Sequence, residues 1–465
     1  QDSFITFKFI TFLLFLVIPH DYSKLIHNSI LFYEAQRSGK LPADNRIPWR
    51  GDSALDDGLP EVDLTGGWYD AGDNLKFNLP MAYSTAVIGY GLIIWKDAYN
   101  SSNEYTNAMN QIKWPCDYFI KCHVSPNEYY YQVGNDHSEW TRPEDMTAPR
   151  PIYKIDCDHP GSDVAGLTAA ALAMCSKVWE DEDPDYSSLC LRKAKSLYKF
   201  AMTYRGSYPS DKYYMSDKFG DDLGLAAALL HFVTRDTTYL DEAIVLYGEY
   251  GLYGRSYAFG WGDVRELVKI VIWRELKSGR YERNIKRYLD TWMLDGGLYY
   301  TDGGMVFRDL WGSLRYSAAT SFIALLAADS GVTSDITDDG VIYREFACKQ
   351  INYILGDNPS SRSYVIGYGN NCPKQPHHRA SSCPANFESC NNKNSFGWDG
   401  DNHNELIGAL VGGPDDYDWY EDSRYDYVLN EVACDYNAGF QSALAGLKSL
   451  ELRGKLPEAC KILMA

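Results

Sequence analysis

Apolar residues recur at helical spacing along almost the whole chain, and alternating strand-like stretches are sparse. The first such segment runs from Asp21 to Lys40, with Leu25, Ile26, Ile30, Leu31 and Tyr33 as its apolar positions and Gly39 as a stop. Others follow at about 81–98, 103–123, 162–180, 187–204, 221–233, 238–253, 263–276, 281–294, 312–329, 341–355 and 431–452. That makes about twelve helices, separated by polar or Gly/Pro-containing joints. The small-residue runs after Gly166 and Leu225 permit close helix packing. The expected fold is all-α, with the helix–loop–helix cadence of six hairpins closing into a toroid. A chain of 465 residues ordinarily divides into two or three domains, but no linker or composition break divides this one, so one domain is expected.

Two long irregular stretches, Asn127 to Gly161 and Tyr364 to Ser423, interrupt the helical pattern. Insertions of this length in a compact domain are usually functional. The chain carries 44 Lys+Arg against 63 Asp+Glu, a formal charge of -19, which disfavours nucleic acid and anionic membrane as partners. With 37 Tyr and 12 Trp it has more aromatic surface than a core requires, and flat polar-rimmed rings suit stacking on sugars. Phe4 to Pro19 is an apolar run with Lys8 as its one charge, too short for a comfortable span. It reads as the hydrophobic part of a secretory leader, giving 1–20 as leader and 21–465 as the working domain of a secreted protein. Eleven cysteines are present, and Cys372, Cys383 and Cys390 share one loop that an oxidising compartment could staple; no CxxC pair suggests zinc.

The chemistry centres on Gly66-Gly67-Trp68-Tyr69-Asp70-Ala71-Gly72-Asp73, two carboxylates three residues apart in a Gly-rich, aromatic turn. Such a turn lets the backbone approach a ligand closely and gives a hydrolase two acids with which to hold and deprotonate a water. A second acidic stretch runs from Tyr420 through Asp422, Tyr427, Glu431 and Ala433 to Tyr436 and Asn437, and Pro376-His377-His378-Arg379 lies between the two.

The Asp-Ala-Gly-Asp turn, the Pro-His-His-Arg segment, the Leu410-to-Asp418 run LVGGPDDYD and the Tyr420-to-Asn437 signature together resemble glycoside hydrolase family 9, the inverting cellulases, from about Asp21 to Leu450. The resemblance implies an (α/α)6 barrel and a secreted endo-β-1,4-glucanase. It implies Asp73 as general base, Asp70 as its partner on the water, Glu431 as general acid, and Asp422 and His377 as further members of the catalytic set. Arg379, Tyr436, Trp311, Tyr316, Tyr213, His137, Trp140 and Asp263 correspond to substrate-binding positions, and His378 reads as structural. An inverting enzyme needs one protonated and one ionised carboxyl about 6.5–9.5 Å apart, with water on the far side of the sugar. No cofactor is required, although family members often hold a structural calcium. Here Asp217, Asp221 and Asp222 could collect such a cation, but Gly262 replaces the acid expected directly after Trp261. The expected partner is a soluble or amorphous β-1,4-glucan or cello-oligosaccharide, met by a monomer. The competing readings are a dead sugar-binding homologue and a hydrolase of another β-glucan.

Overall fold

The computed structural model describes residues 20–210, 213–333, 340–385 and 388–460. The expected leader at 1–20 therefore lies almost wholly outside the described residues.

Among the described residues twelve long helices build the barrel, with two short ones, Lys96–Ser101 and Arg379–Ser382, beside them. The first half of the twelve comprises α1 (Tyr22–Ala35), α2 (Asn78–Ile94), α3 (Tyr105–Cys122), α4 (Ser162–Trp179), α5 (Pro184–Thr203) and α6 (Gly220–Thr234). The second half comprises α7 (Thr237–Glu249), α8 (Arg265–Leu276), α9 (Gly279–Trp292), α10 (Ser313–Asp329), α11 (Val341–Leu355) and α12 (Cys434–Leu452). The even-numbered helices form a closed inner ring, α2 packing on α4, then α6, α8, α10, α12 and back to α2. The odd-numbered helices pack around them as an outer layer. This is the (α/α)6 barrel.

The division between layers follows from the side chains. The inner α4 buries Ser162 to Ser176 without interruption, because neighbours cover it on every side. The outer α9 buries only Tyr281, Ile285, Tyr288, Leu289 and Trp292, one stripe facing inward. Small residues set the inner spacing: a Cβ on Gly439 of α12 would lie 2.5 Å from the Cα of Ala319 on α10. Among the described residues strand structure is confined to loops: Lys76–Phe77, Tyr129–Val133 and Ile152–Ile155 form an antiparallel sheet, and Tyr299–Tyr300 pairs with Val306–Phe307.

Two helix boundaries depart from the sequence pattern. The first helix ends at Ala35 rather than Lys40, since Arg37 and Gly39 bridge to Trp68 and Ser53. The last begins at Cys434 rather than near 431. Glu431 and Val432 are extended, bridging to His377 and Val411, and this extension turns the Glu431 side chain toward the barrel mouth. Disulfides join Cys383 to Cys390 and Cys348 to Cys460, while Cys372 stays a free thiol.

Candidate active site

The three sequence motifs meet through their backbones. Arg379 N donates to Gly72 O at 2.8 Å, Cys434 N to Asp70 O at 2.8 Å, and His377 N to Asn430 O at 2.9 Å. Gly72 is required by proximity: a Cβ there would fall 1.9 Å from the carbonyl oxygen of His377. The Asp-Ala-Gly-Asp turn is thus clamped directly against the Pro-His-His-Arg segment and the Glu431 strand.

Above this junction opens a cavity of about 690 Å³, lined by Asp70, Asp73 and Glu431 together with His137, Tyr213, Trp311, Tyr316, His377, Arg379 and Tyr436. Ten of the expected site residues therefore share one cleft. Phe77, Tyr214, Asp309 and Arg315 join them without having been named from the sequence, as do Trp261 and Tyr427, which were named there only as motif landmarks. Tyr214 adjoins Tyr213 and Arg315 lies between Trp311 and Tyr316, so adjacency to named positions was the available signal.

The carboxylates sit in different environments. Burial would raise Asp73, but His137 Nδ1 bonds its Oδ2 at 2.6 Å, Arg379 adds positive charge, and Leu75 N donates to Oδ1 at 3.1 Å; together these bring it down to about 2. Burial raises Asp70 well above the carboxylate range, and the nearby Asp435, Asp73 and Glu431 add to the effect. Tyr214 donates its hydroxyl to Asp70 Oδ2, whereas Oδ1 is buried without a hydrogen-bond partner. Burial also pushes Glu431 up to about 7, aided by Asp73 and Asp435 and opposed by the Trp311 hydrogen bond. Trp311 Nε1 donates to Glu431 Oε2 at 2.7 Å and Tyr436 OH to the same oxygen at 3.2 Å. An indole N–H can only donate, so Oε2 carries no proton and the acidic proton belongs on Oε1.

The two histidines separate as the sequence suggested. His377 directs Nδ1 to the carbonyl of Arg424 at 2.7 Å, and burial lowers its basicity. His378 is wholly internal, bonding Gln36 Oε1 at 2.9 Å and capping Ser381 N at 3.0 Å. Arg379 donates Nε to Glu139 O at 2.8 Å and Nη2 to His137 O, so part of its donor fork ties the 135–140 loop to the cleft.

Three expected residues lie outside the cavity lining. Asp422 accepts from Lys374 N at 2.8 Å and Gln375 N at 3.0 Å. Expected in the catalytic set, Asp422 here lies outside the cavity lining and holds the backbone just ahead of the Pro-His-His-Arg segment. Trp140 stands behind His377 at a ring distance of 4.9 Å, with Nε1 bonded to Ser382 Oγ at 2.9 Å. Asp263 lines a smaller adjoining hollow of about 220 Å³ with Trp261, Tyr316 and Asp435.

The three acids expected to collect a cation do not form a cage. Asp217 is exposed while Asp221 and Asp222 are buried, and the described residues contain no group of three metal-ligating side chains. Asp221 Oδ2 accepts Val264 N at 2.8 Å. Lys218 Nζ instead reaches Asp263 at 2.7 Å, with Arg265 Nε on its other oxygen at 2.7 Å. Burial and Asp263 push Asp221 up to about 6, and the Lys218 charge opposes them.

A helical toroid whose mouth holds an ionised acid, a protonated acid and a rim of tryptophans and tyrosines defines a glycoside hydrolase. The family model described as glycosyl hydrolase family 9 matches residues 22–444, and the chain belongs to that family. Endoglucanase A of Bacillus pumilus is 40% identical over 458 residues, covering 94% of this chain and 68% of that protein. Endoglucanase 15 of Arabidopsis thaliana is 38% identical, covering 93% and 96% respectively. The structure of an endoglucanase from the termite Nasutitermes takasagoensis superposes with a TM-score of 0.89 at 44% identity, covering 93% of this chain and all of that one, 100%. Endoglucanase CelQ from Clostridium thermocellum, complexed with cellotetraose, gives 0.82 at 35% identity, covering 94% and 72%.

Proposed function

We propose that the chain is an endo-β-1,4-glucanase that hydrolyses cellulose and related β-glucans with inversion at the anomeric carbon. The observation that carries this reading is the pairing of a carboxylate held near 2, Asp73, with a carboxylic acid held near 7, Glu431, in one aromatic-lined cleft. Two titratable groups pushed apart by their surroundings are what acid–base cleavage of an acetal requires. Asp73 takes a proton from water as the water attacks the anomeric carbon. Asp70, whose Oδ1 has no hydrogen-bond partner, orients that water. Glu431 delivers its Oε1 proton to the departing glycosidic oxygen, so the bond breaks to an alcohol rather than an alkoxide. On the same reading residues 1–20 serve as a secretory leader and 21–465 as the catalytic domain. Reducing-sugar release and viscosity measured in parallel on carboxymethyl-cellulose, barley glucan and xylan test the reading. A rapid fall in viscosity on the first two supports it, and activity confined to xylan contradicts it.

The two acidities fix the pH profile. Glu431 must be protonated and Asp73 ionised, so kcat/KM on a soluble cello-oligosaccharide is expected to be flat between about pH 3 and 6 and to fall about tenfold per unit above pH 7. A profile that stays level to pH 9 excludes Glu431 as the acid.

We infer that the Lys218 ammonium, bonded to Asp263, supplies positive charge where a structural calcium was expected. On that reading chelator leaves the melting temperature unchanged. Lys218→Met, which leaves the acids around Asp263 and Asp221 short of one positive charge, is expected to lower it by about 2–4 °C. Differential scanning calorimetry with and without chelator decides the point, and a chelator-induced drop in the unmodified protein restores the metal.

A further inference from the structure

At the end of the cleft marked by His377 and Tyr427, aromatic rings continue beyond the cavity. Trp311 meets Tyr427 at a ring distance of 5.3 Å, Tyr427 meets His377 at 5.9 Å, and His377 meets Trp140 at 4.9 Å. Past that point Trp140 contacts Phe396 at 4.6 Å, and Phe396 contacts Tyr425 at 4.8 Å. Neither Phe396 nor Tyr425 lines the catalytic cavity. The outer contacts are tilted at 52° and edge-on at 73°, and the Arg379 guanidinium lies over the Trp140 ring at 4.9 Å. Tyr425 remains 50% exposed.

The outer rings are rigidly mounted. Arg424, beside Tyr425, is fully buried and donates Nε to Asn402 Oδ1 at 2.8 Å and its two terminal nitrogens to the carbonyls of Trp398 and Gly400. Asn402 in turn donates to Pro376 O at 3.0 Å and Ser381 Oγ at 2.8 Å, locking this loop to the Pro-His-His-Arg segment. The Cys383–Cys390 disulfide closes the preceding turn. A fixed row of partly exposed rings, continuous with a ligand cleft, is a binding surface rather than incidental apolar exposure.

We propose that Phe396 and Tyr425, continuing outward from Trp140, form an additional glucosyl-binding platform that extends the catalytic cleft and gives this enzyme a preference for longer chains. The occupant is the continuation of the β-glucan chain whose middle lies between Asp73 and Glu431. Its sugar rings present flat C–H faces to the aromatics, and their hydroxyls remain in water. The platform rests on the glucanase reading and adds to it a contact made only by substrates long enough to leave the cavity.

The experiment compares kcat/KM for cellotetraose and cellohexaose in the unmodified protein, Tyr425→Ala and Tyr425→Phe. The unmodified protein is expected to favour cellohexaose. Tyr425→Ala is expected to lose about 3–10-fold on cellohexaose with little change on cellotetraose, the scale of one aromatic contact. Tyr425→Phe keeps the ring face and is expected to retain the preference. An unchanged ratio in Tyr425→Ala, or an equal loss on both substrates, overturns the platform while leaving the glucanase assignment intact. Failure of the unmodified protein to cleave either oligosaccharide overturns the glucanase assignment and the platform with it.

Discussion

Glu431→Gln is expected to lower hydrolysis of β-glucan about 10²–10⁴-fold without disturbing the fold. The substitution is nearly isosteric. Its amide oxygen can replace Oε2 as acceptor for Trp311 Nε1 and Tyr436 OH, so the side chain keeps its orientation. What disappears is the transferable proton on the other atom. The loss should therefore depend on the leaving group: polymer and cello-oligosaccharides, which depart as poor alkoxides unless protonated, suffer fully. A glycosyl fluoride needs much less help and should be cleaved at close to the unmodified rate. Normal hydrolysis of cello-oligosaccharides by Glu431→Gln would remove the residue from the acid role. A loss that falls equally on fluoride and polymer would point to misplacement of substrate instead.

The residues that could be recognised in the sequence were those whose chemistry is local. Asp70 and Asp73 share one turn, and Gly66 and Gly67 beside them take the positive φ values of 99° and 75° that the turn invited. The helical cadence was equally legible, because an inner-ring helix such as α4 and an outer one such as α9 both keep helical periodicity although one is buried all round. Partnerships across the barrel were not legible. Nothing in the spacing of Tyr214 shows that its hydroxyl will meet Asp70, or that Asp435 will lie close enough to make both Asp70 and Glu431 weaker acids. Asp422 shows the limit from the other side: an acid within a catalytic signature can spend both oxygens on backbone amides. In the acidic loop at 217–222, counting acids likewise takes no account of Lys218, whose Nζ reaches Asp263.

Asp73→Asn should be as damaging as loss of the acid, about 10²–10⁴-fold, because no neighbour can take over as base. Asp70 shares the turn, but burial and the Asp435 charge oppose its ionisation, and Tyr214 already occupies one oxygen. His137 is bonded through Nδ1 to Asp73 itself and has its other ring nitrogen buried without a partner, so it cannot reach a water on Asp73's far side without breaking that bond. A rate loss alone does not separate a base from a nucleophile, since both roles need the charge. Stereochemistry separates them. If Asp73 activates water, a single displacement turns the anomeric centre over once, and β-linked cellotetraose releases α-configured product first. Proton NMR within the first minutes, before mutarotation equilibrates the anomers, reads that signal directly. Initial β product would require two displacements through a glycosyl–enzyme ester. In that event Asp73 would be the atom bonded to sugar, the water would enter in the second step, and Glu431 would have to act first as acid and then as base.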